Sequence, residues 1–255
     1  MRGERFGRRW AYGYRGTIGL VKPTYRPGSL EETIRLLPEG VGVIPMHAGI
    51  RVGTSEEFAG ILDEVSARIE DLASLEVDAI YVEGAPPPMM LGYDADERLS
   101  ERLTKSYGIP VAFATQALTR ALRALEIQDL VGLTYTPPHQ NEIFAKYLTD
   151  AGFNVEAIQG IDSPFEHADR ITPEMVYAAA KKLYEKHPTV DGIYLFGGAW
   201  RGMPAIERLE EDLGVPVVGG IQASIWYIMK LLGIQDNVVK GGKLLNDYSN
   251  RIALD

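Results

Sequence analysis

Short apolar runs alternate with amphipathic helical patterns along most of the chain. Residues 17–21, 41–46, 111–113, 130–134 and 155–158 are runs of strand length closed by Pro, Gly or polar turns. Between them, Phe58, Ile61, Leu62, Val65, Ile69, Leu72 and Leu75 recur at helical spacing and predict one long amphipathic helix. Thr54 and Glu57 form a capping-box signature ahead of it, and Ser29 with Glu32 is a second one, opening a short helix to residue 37. Further helices are expected over 94–107, 116–125, 142–151 and 172–187, the last with Pro173 at its first position. Strands alternating with helices imply a parallel sheet covered on both faces, whose sites lie in the loops after the strand C-termini.

The pattern also repeats. Val77-Asp78-Ala79-Ile80-Tyr81-Val82-Glu83-Gly84 has a counterpart in Val190-Asp191-Gly192-Ile193-Tyr194-Leu195-Phe196-Gly197. Each copy leads through a helical segment to a second strand (Ile109-Pro110-Val111, Val215-Pro216-Val217) and then to a Gln-Ala pair, Gln116-Ala117 and Gln222-Ala223. This is a duplicated strand-loop-helix unit. A pseudo-twofold relation sets the two loops facing each other across one cleft, the first running acidic and proline-rich through residues 83–88, the second aromatic and basic through 196–201.

Charge and composition narrow the partners. The formal net charge is −9 and the pI about 5.1, which argues against non-specific binding to nucleic acid or to an anionic membrane. No apolar run approaches the ~20 residues of a membrane span. The N-terminal segment has five arginines but no apolar stretch, so a secretory signal is not expected and the expected location is the cytoplasm. Its aromatics and arginines suggest an arm against the body or a second subunit, hence a homo-oligomer. With no cysteine, thiol nucleophiles, thiolate metal sites and disulfides are excluded. Four scattered histidines without a ligand spacing make a metal site unexpected, with one assembled from His, Glu and Asp across loops left open, and the lack of GxGxxG and Walker patterns speaks against nucleotide cofactors.

The segments Leu118-Thr119-Arg120-Ala121-Leu122, Thr134-Tyr135-Thr136 with Asn141-Glu142, Asp191-Gly192-Ile193-Tyr194-Leu195 with Gly197-Gly198, and Leu213-Gly214-Val215-Pro216-Val217 resemble the aspartate/glutamate racemase superfamily. The likeness is to its branch of arylmalonate decarboxylases and maleate cis-trans isomerases and spans most of residues 17–235. It implies two pseudo-symmetric α/β lobes, one of 1–113 plus 220–255 and one of 114–219, with a cofactor-free site for a small carboxylate between them. The family's cysteines align with Gly84 and Phe196, so any chemistry here is thiol-free.

Candidate residues follow from the strand ends. Glu83 closes an apolar strand at the cleft and is a candidate general acid or base, or a salt-bridged loop anchor. His139, after Pro137-Pro138, and His47, past a strand end, are candidate proton carriers or structural histidines. Tyr135 is a candidate donor to a carboxylate or enediolate. Thr134, Thr136, Gly84, Gly197 and Gly198 are candidate oxyanion donors, and Arg201 a carboxylate clamp. Lys22 and Arg51 are further cations on strand-end loops. Met89, Met90 and Leu91, with Trp200 and Phe196, are expected as an apolar wall. The leading expectation is a lyase or isomerase working through an enolate-like intermediate. The alternatives are a hydrolase or hydratase that activates water, and a ligand-binding protein without catalysis.

Overall fold

The computed structural model describes residues 11–26, 28–238 and 241–246. Its elements run β1 (Gly16–Thr24), α1 (Gly28–Leu36), β2 (Val41–Ile50), α2 (Ser55–Ser74), β3 (Ala79–Val82), α3 (Pro86–Leu91), α4 (Tyr93–Tyr107), β4 (Val111–Phe113) and α5 (Ala114–Ala124). They continue with β5 (Asp129–Thr134), α6 (Pro138–Asp150), β6 (Asn154–Gly160), a 3-10 turn (Phe165–Arg170), α7 (Pro173–Lys186), β7 (Gly192–Leu195), α8 (Met203–Leu213), β8 (Val217–Gly219), α9 (Gly220–Leu232) and α10 (Gly242–Asn246).

The strands form two four-stranded sheets, ordered β2-β1-β3-β4 and β6-β5-β7-β8, parallel throughout. The orders match position for position, and the repeated strands β3 and β7 hold the same place in each. The shared residues explain the match. Asp78 accepts from the backbone N–H of Thr17 at 2.7 Å, and Asp191 from those of Gln128 and Asp129 at 3.0 Å each. Each aspartate therefore pins its own strand against the strand beside it. Gln116 and Gln222 also act alike. Each folds its side-chain carbonyl back onto the backbone N–H just before its helix, Phe113 at 2.8 Å and Gly219 at 3.0 Å. That satisfies an amide the helix start leaves open.

Alternation along the strands divides the core. In β1 and β3, Val21, Ile80 and Val82 meet the α2 stripe of Phe58, Ile61, Val65, Ile69 and Leu72. Ile18, Leu20, Ala79 and Tyr81 face the other way, into the larger core shared by both sheets. There α5 and α9 pack on each other. Burial of each large side chain in the stripe contributes about 1.5–3 kcal/mol. Leu75 lies past the end of α2 and is exposed, so it is not part of the stripe. Thr54 caps α2 by accepting from Glu57 N at 3.2 Å. The Glu57 carboxylate also accepts from the Val52 and Gly53 N–H groups, at 3.0 and 2.6 Å.

Three elements depart from the sequence reading. The loop after β3 contains a helix, α3, because Pro86 and its neighbours suit a first helical turn, where no N–H partner is lost. Helix α6 starts at Pro138, not at residue 142, for the same reason. Ser29 lies inside α1 and its hydroxyl turns inward instead of capping the helix. The N-terminal segment expected as an arm lies outside the described residues up to residue 10. Among the described residues no helix is long and apolar enough to cross a membrane.

Asp96 joins the halves away from the strand ends. It is fully buried on α4, and Tyr147 of α6 donates to it at 2.7 Å. Burial pushes its carboxyl up to about 6 from 3.8, and the hydrogen bond from Tyr147 opposes this more weakly. A raised carboxyl contributes stability that is complete below about pH 4 and lost as pH rises through about 6. That difference corresponds to about 3 kcal/mol. Asp96→Asn, which keeps the shape, is expected to remove this slope and to melt above the wild type at pH 7. Denaturant midpoints at pH 4 and pH 7 check it, and a parallel pH dependence in both proteins contradicts it.

Candidate active site

The C-terminal ends of β1, β3, β5 and β7 converge on one cavity of about 90 Å³, room for a small molecule. From β3 come Glu83 and Gly84, and from β1 Pro23 and Thr24, followed by Arg26 and Ser29. From β5 come Thr134, Tyr135 and Thr136, and from β7 Phe196, Gly197 and Gly198. Phe144, Tyr194 and Phe196 form an aromatic wall; Phe196 stacks on Phe144 at 5.1 Å and meets Tyr194 edge-on at 4.2 Å.

The polar pole is a buried network. Lys22 Nζ lies 2.9 Å from Glu83 Oε2, the Ser29 hydroxyl donates to the same oxygen at 2.8 Å, and Lys22 also donates to Ser29 Oγ. All three side chains are buried. One end of the Glu83 carboxylate is thus held by two donors, while Oε1 has no partner. The backbone aims it there: Glu83 N–H bonds the carbonyl of Val21 at 2.9 Å. Gly84 then turns with φ +92°, where a Cβ would come 2.7 Å from Pro23. Only glycine is unstrained at such a turn.

Arg26 lines the cavity beside Phe165. Its guanidinium sits 4.5 Å above that ring, Nη2 donates to the Phe165 carbonyl, and Nη1 is buried without a partner. Tyr135 stands edge-on to Trp200 at 5.2 Å, and its oxygen accepts from Ala199 N–H at 3.4 Å. Burial pushes its phenol up, with Arg26 pulling it down and Glu83 adding to the rise. Tyr135 therefore keeps its proton at neutral pH and has an O–H to give. Gly197, at φ +86°, leaves no room for a Cβ against that phenol.

Of the residues read from the sequence, Glu83, Gly84, Thr134, Tyr135, Thr136, Gly197 and Gly198 meet at this cavity. The hydroxyls of Thr134 and Thr136 both donate to Asn141 Oδ1, at 2.9 and 2.8 Å, so they tie down the loop. His139, His47 and Arg201 are not brought into the cavity. His139 is exposed on the first turn of α6. His47 donates from Nδ1 to the Thr24 carbonyl at 2.8 Å and stacks on Tyr25. Arg201 is exposed in a separate groove with Glu174 and Arg208. Met90 and Leu91 are exposed and Met89 is in the core; of the expected wall Phe196 lines the cavity, joined by Phe144 and Tyr194, whereas Trp200 does not line it. Lys22, expected on a loop, is a buried strand residue. Arg26 and Ser29 carry no signal for chemistry in the sequence. Among the described residues no cluster of three or more His, Asp or Glu side chains is placed to hold a metal ion.

The chain matches the family model of arylmalonate decarboxylase over residues 18–245. It is 23% identical to an arylmalonate decarboxylase from Bordetella bronchiseptica, over 85% of this chain and 90% of that protein. It is also 23% identical to a maleate isomerase from Geobacillus stearothermophilus, over 90% of this chain and 96% of that one. A maleate cis-trans isomerase from Nocardia farcinica, with a covalently bound succinylcysteine intermediate, superposes with a TM-score of 0.83 at 21% identity, covering 91% of this chain and 98% of that one. That likeness attests the fold. The relatives are decarboxylases and isomerases, and this chain is an enzyme of the lyase or isomerase class. The match over residues 18–245 places it: the chain belongs to the arylmalonate decarboxylase family.

Proposed function

We propose that this enzyme acts without cofactor or thiol on a small carboxylate, by lyase or isomerase chemistry through an enolate-like intermediate. The observation that carries the reading is the free Oε1 of Glu83 at the cavity, its other oxygen anchored by Lys22 and Ser29. A carboxylate held in this way is a positioned base. In the isomerase form, Glu83 Oε1 takes the proton from the carbon beside the substrate carboxylate. The electron pair moves into that carboxylate to give a planar intermediate, which turns in the cavity and takes the proton back from Glu83 on its opposite face, inverting the carbon. In the lyase form the bond to the departing carboxylate breaks and CO₂ leaves with the electron pair staying behind. The Ser29 hydroxyl gives the carbanion its proton and is recharged from the Lys22 ammonium. In both forms Arg26 and the Tyr135 O–H stabilise the oxygen that gains charge.

Polar groups inside an aromatic cavity favour catalysis over mere ligand binding. His139 and His47 lie outside the cavity, so the version that uses a histidine is set aside. The test is turnover of a panel of small α-substituted acids in D₂O. One solvent deuteron on the α-carbon of product or recovered substrate is expected. Solvent ¹⁸O entering product with no carbon-bound deuterium points instead to the water-activating alternative and overturns the proposal.

A further inference from the structure

The charges around the cavity count out to one free positive charge. Among the described residues that line it, Arg26 and Glu83 alone are charged. Lys22, directly behind Glu83, neutralises that carboxylate at 2.9 Å. Arg26 has no ion pair among the described residues; it is held by a carbonyl and a ring. Two buried atoms remain without partners, and they have opposite needs: Nη1 of Arg26 has a proton to donate, and Oε1 of Glu83 has a lone pair to fill. An unpaired buried polar group costs about 1–3 kcal/mol, more when charged. A ligand that satisfies both atoms recovers that cost.

Resting on the small-carboxylate reading above in its isomerase form, we infer that the substrate is a monoanion. Its single carboxylate is clamped by Arg26, and a neutral hydrogen-bond donor on or near the α-carbon, such as a hydroxyl, is given to Glu83 Oε1. A planar or apolar substituent rests on Phe144, Tyr194 and Phe196. A second carboxylate in place of the neutral donor faces Glu83 Oε1 charge to charge in a water-poor cavity, where Coulomb repulsion is least screened. Dicarboxylate dianions are selected against. This sets the chain apart from relatives named for an arylmalonate and for maleate, both dicarboxylates.

Three ligands of one shape test this. Phenylacetate, mandelate and phenylmalonate share the phenyl ring and one carboxylate, and differ at the α-carbon by H, OH or COO⁻. Calorimetric titration of the full chain at pH 8 is expected to rank mandelate tightest, phenylacetate next, and phenylmalonate at least tenfold weaker than mandelate. In Glu83→Gln, phenylmalonate is expected to gain at least tenfold relative to mandelate. Arg26→Gln is expected to weaken all three by tenfold or more. Equal or tighter binding of phenylmalonate by the wild type overturns the inference and leaves the small-carboxylate reading standing. No binding by these three, nor by lactate, propionate and malonate, overturns both. The wild-type ranking decides the matter even where a variant does not fold.

Discussion

Lys22→Met is expected to destabilise the protein by about 3–5 kcal/mol, because it leaves a buried carboxylate without its counter-ion. The Glu83 side chain is only 9% exposed and that of Lys22 only 1%. Removing the ammonium takes away the charge partner and one of the two donors to Oε2, and the Ser29 hydroxyl alone does not replace them. Methionine fills most of the volume of the lysine stem, so a cavity is a minor part of the loss. The double variant Lys22→Met with Glu83→Gln is expected to recover most of the stability, since neither remaining side chain is charged. Denaturant unfolding of the wild type, both single variants and the double variant closes the cycle. Additive losses in the double variant would mean that the two side chains stabilise the fold independently.

The pairing of Lys22 with Glu83 was within reach of the sequence, although the lysine reads first as a loop cation. Side chains two apart on a strand share a face. Ile18, Leu20 and Lys22 therefore point one way from β1, and Ala79, Tyr81 and Glu83 point the same way from β3. Both charges were bound for the surface between the lobes. What hid them was the proline at 23, which closes the apolar run at Val21 while the strand continues to Thr24. The duplication was legible because Asp78 and Asp191, and Gln116 and Gln222, repeat a hydrogen bond and not merely a pattern.

Other features had no periodic signal. Arg26 lies in an irregular stretch between β1 and α1, and its place follows from the ring of Phe165, 139 positions away. His139 is hard to place because Pro137-Pro138 reads equally as a loop or as a helix start, and the helix start turns the histidine to solvent. The aromatic wall draws Phe144 from α6 and Tyr194 from β7. Only the fold brings these together, because neither is near the other in sequence.

Glu83 carries the largest catalytic expectation. On any substrate that shows α-carbon deuterium exchange, Glu83→Gln is expected to lower kcat by about 10²–10⁴, the usual contribution of a positioned acid or base. KM should change much less for a monoanionic substrate, because Arg26 still binds its carboxylate. Loss of the Glu83 charge also strands the Lys22 ammonium, so a fall in activity alone does not separate chemistry from folding. The double variant separates them. With Lys22→Met beside Glu83→Gln, stability returns and catalysis does not, because a side-chain amide has no basic oxygen for the α-proton. Turnover and unfolding measured on the same preparations give the decision. Recovery of both together makes Glu83 a structural partner of Lys22, whereas recovery of stability alone, with α-proton exchange retained by Lys22→Met alone, leaves it as the base.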